Sequence, residues 1–229
     1  MNSSYRLVWC DQKQCFKVAP ETARGGSKGR GSSRSIRRAT VNIFLSSAIA
    51  ISASSGLAGQ PVPSMNQLPT GGVVAQGKAS LSQTSTAQAA ALTVQQSSQR
   101  AVINWDTFNL GSAATVNFAQ PNAQAVTLNR VNDANPSQIY GKITAPGQVF
   151  LSNPSGLYFS PTSQVDVGSF TATTHSISDD NFMAGNYRFE RNKATGKVVN
   201  EGVMKSGLAG YIALLAPEVQ NSGVVVAKV

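Results

Sequence analysis

Residues 147–174 (GQVFLSNPSGLYFSPTSQVDVGSFTATT) constrain the fold more than any other stretch of this chain. Three apolar pairs recur in it: Val149 and Leu151, Leu157 and Phe159, Val165 and Val167. Side chains on a strand alternate between faces, so the two members of each pair point the same way. The pairs begin at 149, 157 and 165, the same interval each time. Asn153-Pro154-Ser155-Gly156 separates the first two pairs, and Ser160-Pro161-Thr162-Ser163 the next two. The first separator is a type I turn signal, with Asn at i, Pro with its φ pre-set at i+1 and Gly at i+3. Equal legs joined by tight corners predict a triangular coil of a β-helix with about 24 residues per turn.

The tail repeats in a compatible way. Asn200-Glu201-Gly202-Val203 returns as Asn221-Ser222-Gly223-Val224, 21 residues later. Self-similarity at such a period marks a solenoid, whose units are stable only when stacked on their neighbours. The expected fold is all-β: a right-handed parallel β-helix, single-stranded and pectin-lyase-like. It carries an extra-helical hairpin and an N-terminal cap. Residues 80–229 would supply about six or seven coils, each adding ~4.8 Å along the axis. The sequence stops inside an apolar run, VVVAKV, without a terminal cap. An uncapped coil exposes a ladder edge, so the chain reads as the start of a longer protein, truncated at its C-terminus.

Upstream, residues 79–99 show strand alternation at Leu81, Leu92 and Val94 and read as short strands. Val102, Trp105 and Phe108 are apolar anchors of the next segment. Residues 115–118 and 125–131 read as strands around a Gln120-Pro121-Asn122 corner. Ser178 before Asp179-Asp180 is an N-cap signature for one short helical turn, ended by Gly185. Residues 186–200 (NYRFERNKATGKVVN) read as a hairpin beside the stack, with Tyr187 and Phe189 on one side and a loop at 192–196.

The charge is lopsided. Residues 1–58 hold nine of the 19 basic residues and two of the ten acidic ones, hence +7 of the formal +9. A nucleic-acid partner is excluded on this distribution, because the basic excess sits in a segment that reads as removable. Residues 39–53 (ATVNIFLSSAIAISA) are too short for a membrane span and suit the apolar core of a signal peptide. Gly56 and Ala58 are small residues at −3 and −1, so cleavage is expected between Ala58 and Gly59. The expected organisation is a signal peptide over 1–58, with an extended region at 1–25 and the apolar and cleavage regions at 39–58. A Pro/Gly-rich lead-in at 59–79 and the β-helical domain at 80–229 follow. Both cysteines, Cys10 and Cys15, lie in the removable part. A mature domain without cross-links can be threaded through a pore.

No catalytic, cofactor or metal site is expected. The one histidine, His175, has no partner at ligand spacing, and Asp179, Asp180 and Asn181 lack the spacing of a calcium loop. The mature region has eight acids, and none forms an i, i+2 pair on a strand face as paired-carboxylate glycan chemistry would need. Asn122, Asn135, Asn153 and Asn221 sit at corners, where Asn suits the backbone geometry.

Residues 147–173 resemble the central block of the secretion domain of filamentous-haemagglutinin-like exoproteins, the passengers of two-partner secretion. The usual turn there is Asn-Pro-Asn-Gly; here the third residue is Ser155, followed after Gly156 by Leu157. The resemblance extends through AVINWDTFNLG (101–111), LNRV (128–131), PSQIYG (136–141) and 207–216. Residues 1–25 resemble the extended region of long Gram-negative signal peptides, matching at Met1, Asn2, Tyr5, Arg6, Leu7, Val8, Trp9, Val18, Ala19, Glu21, Ala23, Arg24 and Gly25.

The resemblance implies a secreted or surface-exposed adhesin whose secretion domain is recognised by an outer-membrane transporter. The motif at Asn153, Pro154, Ser155, Gly156 and Leu157 would be the recognised turn. Asn104, Trp105, Phe108, Asn129, Arg130 and Val131 are further family-motif residues. The other partner would be a host or neighbouring-cell surface, with membrane contact only during export. Alternatives are a toxin-delivery exoprotein with the same N-terminal domain, or a β-helix glycan-processing enzyme.

Overall fold

The computed structural model describes residues 5–10, 15–20 and 60–228. The N-terminal residues belong to a unit of their own. In it β1 (Tyr5–Cys10) and β2 (Cys15–Pro20) pair antiparallel, from Tyr5↔Pro20 to Cys10↔Cys15. The apolar run 39–53 and the expected cleavage point at Ala58 and Gly59 lie outside the described residues.

The second unit is a parallel β-helix. Its strands are β3 (Val73–Gln76), β4 (Ala79–Ser85), β5 (Ala90–Gln96), β6 (Arg100–Trp105), β7 (Ala114–Ala119), β8 (Val126–Val131), β9 (Ser137–Ile139), β10 (Lys142–Ser152), β11 (Leu157–Phe159) and β12 (Gln164–Thr173). One short helix, α1 (Asp179–Met183), interrupts them. β13 (Val198–Asn200), β14 (Val203–Leu208), β15 (Ile212–Leu215), β16 (Val219–Asn221) and β17 (Val224–Lys228) follow. One face stacks β5, β7, the first part of β10, the first part of β12, β14 and β17 in parallel. The second stacks β6, β8 and the latter parts of β10 and β12, then β15. The third stacks β9, β11, β13 and β16.

The pairs at 149/151, 157/159 and 165/167 lie on three consecutive sides of the coil, and all six side chains are buried in one core. Each such burial contributes ~1.5–3 kcal/mol. Phe159 and Phe170 meet edge to face inside it, with ring centroids 5.8 Å apart.

The coil is shorter than the leg spacing predicts. Val149 pairs with Phe170, 21 residues on, and Ile143 with Val165, 22 residues on. The third corner is no turn at all. The chain bends within a strand, and β10 slips register between Ala145 and Gln148. A Cβ added to Gly147 would stand 2.5 Å from the Ala125 carbonyl oxygen, and one on Gly168 2.5 Å from that of Pro146. Glycine at this corner lets successive backbones approach where any side chain would collide.

At the N-terminal end, β3 lies antiparallel on β6 and β4 antiparallel on β5. An antiparallel strand cannot continue a parallel coil, so these strands close the stack. The segment read as an extended lead-in takes part. The Met65 carbonyl accepts from Ala113 N–H at 2.8 Å and the Gln67 carbonyl from Gly111 N–H at 2.9 Å. Leu68 joins the core.

The hairpin expected over 186–200 does not form. Val198–Asn200 is a rung of the third face, in register with Leu157–Phe159 before it and Val219–Asn221 after it. Stacking gives that tripeptide two ladder partners, where a hairpin would give one. Asn200 Nδ2 donates to Asn221 Oδ1 at 2.8 Å, so the tail repeat is an asparagine ladder between coils.

Residues 174–197 instead form a strap over the outside of the second face. α1 begins as expected, with the Ser178 hydroxyl accepting from Asn181 N–H at 3.3 Å, and Gly185 leaves it at φ +81. Ser176 and Glu190 exchange backbone bonds at 2.9 and 2.8 Å. Tyr187 and Phe189 do share a side, as their alternation suggests, because both pack on the outward ring of Phe150.

Candidate functional site

The 153–156 turn closes as its residues dictate. Gly156 N–H donates to the Asn153 carbonyl at 3.0 Å, and Ser155 N–H to Asn153 Oδ1 at 2.9 Å. Gly156 sits at φ +126, which a residue with a Cβ rarely adopts. The other half of the Asn153 amide turns into the stack. Its Nδ2 donates to the Asn135 carbonyl and to Ser137 Oγ, both at 3.0 Å. Asn153 is 0% exposed, Gly156 and Leu157 are buried, and Pro154 alone of the five motif residues is exposed. Ser155, half-buried, donates its hydroxyl to the Asp133 carbonyl at 2.7 Å in place of the usual asparagine.

The other motif blocks are neighbours on the second face. Asn104 pairs with Arg130 and Trp105 with Val131, and Leu151 of the central block pairs with Asn129. Trp105 and Phe108 are core residues with rings edge to face at 5.5 Å. Asn129 points into the coil. Its Oδ1 accepts from Trp105 Nε1 at 3.0 Å and its Nδ2 donates to the Phe150 carbonyl at 3.2 Å. One fully buried amide therefore joins three coils. Arg130, next along β8, points outward. It donates to Asn104 Oδ1 at 3.2 Å, to the Ile177 carbonyl at 2.9 Å and to Asp179 Oδ1 at 2.6 Å. It floors a polar cleft of about 400 Å³ between the two limbs of the strap.

Sequence reasoning recovered the capping role of this helix start and missed its ion pair, since nothing local links Asp179 to Arg130. It also missed Tyr158, whose hydroxyl donates to Glu201 Oε2 at 2.6 Å across adjacent coils. Burial first, then that bond and the Glu201 charge, push the Tyr158 phenol well above its ordinary 10.0. Burial and the same carboxylate raise Tyr140. Among the described residues, no group of three or more His, Cys, Asp or Glu is placed to hold a metal.

This fold and its motif blocks have counterparts among known proteins. Residues 47–229 match the model of the TPS secretion domain, and residues 1–50 that of the Extended Signal Peptide of Type V secretion system. A heme/hemopexin-binding protein of Haemophilus influenzae is 38% identical over 112 residues, covering 49% of this chain and 12% of the relative. A second heme/hemopexin-binding protein, from Haemophilus influenzae strain Rd, is 32% identical over 171 residues, covering 72% and 18%. The chain thus spans under a fifth of the length of these relatives. The crystal structure of the HMW1 secretion domain from Haemophilus influenzae superposes with a TM-score of 0.61 at 29% identity, over 70% of this chain and 44% of that one. The signal-peptide and secretion-domain matches make this part of a Gram-negative exoprotein exported through the periplasm, and imply an outer-membrane transporter as partner. The chain belongs to the TPS secretion domain family, behind an extended signal peptide of the type V secretion system.

Proposed function

We propose that the transporter reads the Asn153–Pro154–Ser155–Gly156–Leu157 turn in the unfolded chain, and that the β-helix then forms outside and opposes return. The burial of Asn153 carries this reading. Once folded, its amide is fully used by Ser155, Asn135 and Ser137 and offers no group to a partner. The domain works by being recognised and by folding, without catalysis. Asp179 is engaged by Arg130, Glu201 by Tyr158, and Asp133 caps the corner at Asn135.

The mature chain begins at Gly59, after removal of 1–58. The remainder of the exoprotein acts at a host or neighbouring-cell surface as an adhesin. N-terminal sequencing of released protein tests the first point, and a mature chain retaining Trp9 would refute it.

Asn153→Ala tests the turn. Losing the buried amide should cost ~1–3 kcal/mol, which a stacked domain survives. Transporter-dependent release should fall far more than the unfolding midpoint does. Release that falls only in proportion to stability would make the turn a corner and nothing more.

A further inference from the structure

The N-terminal unit juxtaposes two reactive groups that the secretion domain lacks. β1 and β2 run antiparallel in register from Tyr5↔Pro20 to Cys10↔Cys15. The last pair sets Cys10 directly opposite Cys15, with residues 11–14 between them in the chain. Directly opposed residues of an antiparallel ladder have Cα atoms about 4.5 or 5.5 Å apart. A disulfide spans Cα separations of about 4.4–6.8 Å. The register therefore meets the covalent requirement without backbone movement. The chain has two cysteines in all, so each has the other as its one possible intrachain partner.

The ladder also fixes what shares a face with them. Strand positions alternate, so the pairs 6/19, 8/17 and 10/15 belong to one face. The positions of that face carry Arg6, Lys17 and no carboxylate beside the two cysteines. The pairs 5/20, 7/18 and 9/16 make up the other face and carry no charge. An anionic thiol reagent is drawn to the cysteine face by its two cations.

We propose that Cys10 and Cys15 form a redox-modification site, at which an anionic low-molecular-weight disulfide such as oxidised glutathione installs a cross-strand disulfide that locks β1 to β2. One cysteine thiolate attacks the glutathione disulfide, whose S–S bond breaks as a mixed disulfide forms and one glutathione thiol leaves. The second cysteine attacks the mixed disulfide, forming the Cys10–Cys15 bond and releasing the other glutathione thiol. The two cysteine protons end on the two released thiols. The protein loses two electrons and the glutathione disulfide gains them. In an extended chain the two Cα atoms would stand roughly 17 Å apart, so the linked leader cannot extend. Residues 1–50 match the extended signal peptide family, which confines the modification to the leader. The proposal is independent of the transporter reading above.

The test uses the full precursor, reduced and then equilibrated with mixtures of oxidised and reduced glutathione. Parallel samples are held in native buffer and in concentrated guanidinium chloride. Mass spectrometry after acid quenching and alkylation counts the 10–15 link, mixed glutathione adducts and free thiols. In native buffer the link should dominate, with an effective thiol concentration about tenfold above that in denaturant. Equal values in the two solvents would overturn the site, and so would stable adducts at both cysteines without the link. Arg6→Gln with Lys17→Gln should slow the reaction with oxidised glutathione but leave that with uncharged hydroxyethyl disulfide unchanged. An unchanged rate with glutathione would overturn the choice of an anionic oxidant. Hydrogen exchange over 5–20 should be about tenfold slower in the oxidised precursor than in the reduced one. Cys10→Ser should exchange like the reduced protein in both conditions. Equal exchange in oxidised and reduced precursor would overturn the lock.

Discussion

Arg130 and Asp179 stand 49 residues apart in the chain, and guanidinium and carboxylate meet at 2.6 Å. Asp179 opens the only helix among the described residues, and Arg130 belongs to the coil beneath it. The pair therefore fastens the strap to the stack. Arg130→Met removes it together with the bonds to Asn104 and Ile177. The two side chains are 25% and 32% exposed, so the loss should be modest, about 1–2 kcal/mol. It should appear locally. Hydrogen exchange followed by mass spectrometry should show faster exchange over 176–190 and little change in β10 or β12. Unchanged exchange over the strap would rule the fastening role out.

Asn129→Leu keeps the volume and loses both hydrogen bonds. Trp105 Nε1 and the Phe150 carbonyl are then left buried without Asn129, at a cost of ~1–3 kcal/mol. Trp105 is the single tryptophan after residue 58, so its fluorescence reports the mature domain alone. The urea midpoint followed by that signal should drop clearly. A midpoint equal to that of the parent would mean the amide is dispensable to the core.

Gly168→Ala tests the close corner. The new Cβ would meet main-chain oxygens of Pro146 and Gly147 at 2.5 and 2.7 Å, and main chain cannot swing aside. Destabilisation of ~1–3 kcal/mol or more is expected. Gly207→Ala is the control, because its Cβ would lie 3.5 Å from Gly168 Cα in ordinary contact. Similar thermal midpoints for the two variants would contradict the corner geometry.

Tyr158 links stability to alkaline pH. Folding raises its phenol above 10.0, mainly by burial. The folded state thus keeps a proton that the unfolded chain loses above pH 10. The stabilisation is complete below that value and disappears as pH rises through the folded value. Denaturation midpoints should fall on going from pH 8 to pH 11. Tyr158→Phe cannot ionise, so its midpoints should fall less steeply. Parallel curves for the two proteins would remove Tyr158 as a source of the dependence.

Much of this protein was legible without coordinates where the signal is local. The turn at 153–156, the helix start at Ser178 and the strands at 79–96 each follow from residues close in sequence, since capping, φ preference and side-chain alternation act over a few positions. The tail repeat was legible as well, because Asn200 and Asn221 occupy equivalent places one coil apart. The misreadings arise where local pattern is ambiguous. Tyr187 and Phe189 alternate like strand residues, yet they line the strap over Phe150. The third corner at Gly147 and Gly168 is a bend within a strand and not a turn between strands, so the coil looked longer than its 21 or 22 residues.

The sequence by itself determined that the chain coils, where two of its three corners fall and which side chains fill the core. Those properties depend on period and on backbone preference, both written locally. Only the tertiary structure decided which blocks become neighbours. Asn104 meets Arg130, Asn129 ties Trp105 to the main chain at Phe150, Tyr158 reaches Glu201, and Asp179 crosses back to Arg130. Each of these contacts depends on how many residues every corner and excursion consumes. A change of one residue in a strand turns every following side chain to the other face, so the partners of these residues are fixed by the register of the whole stack.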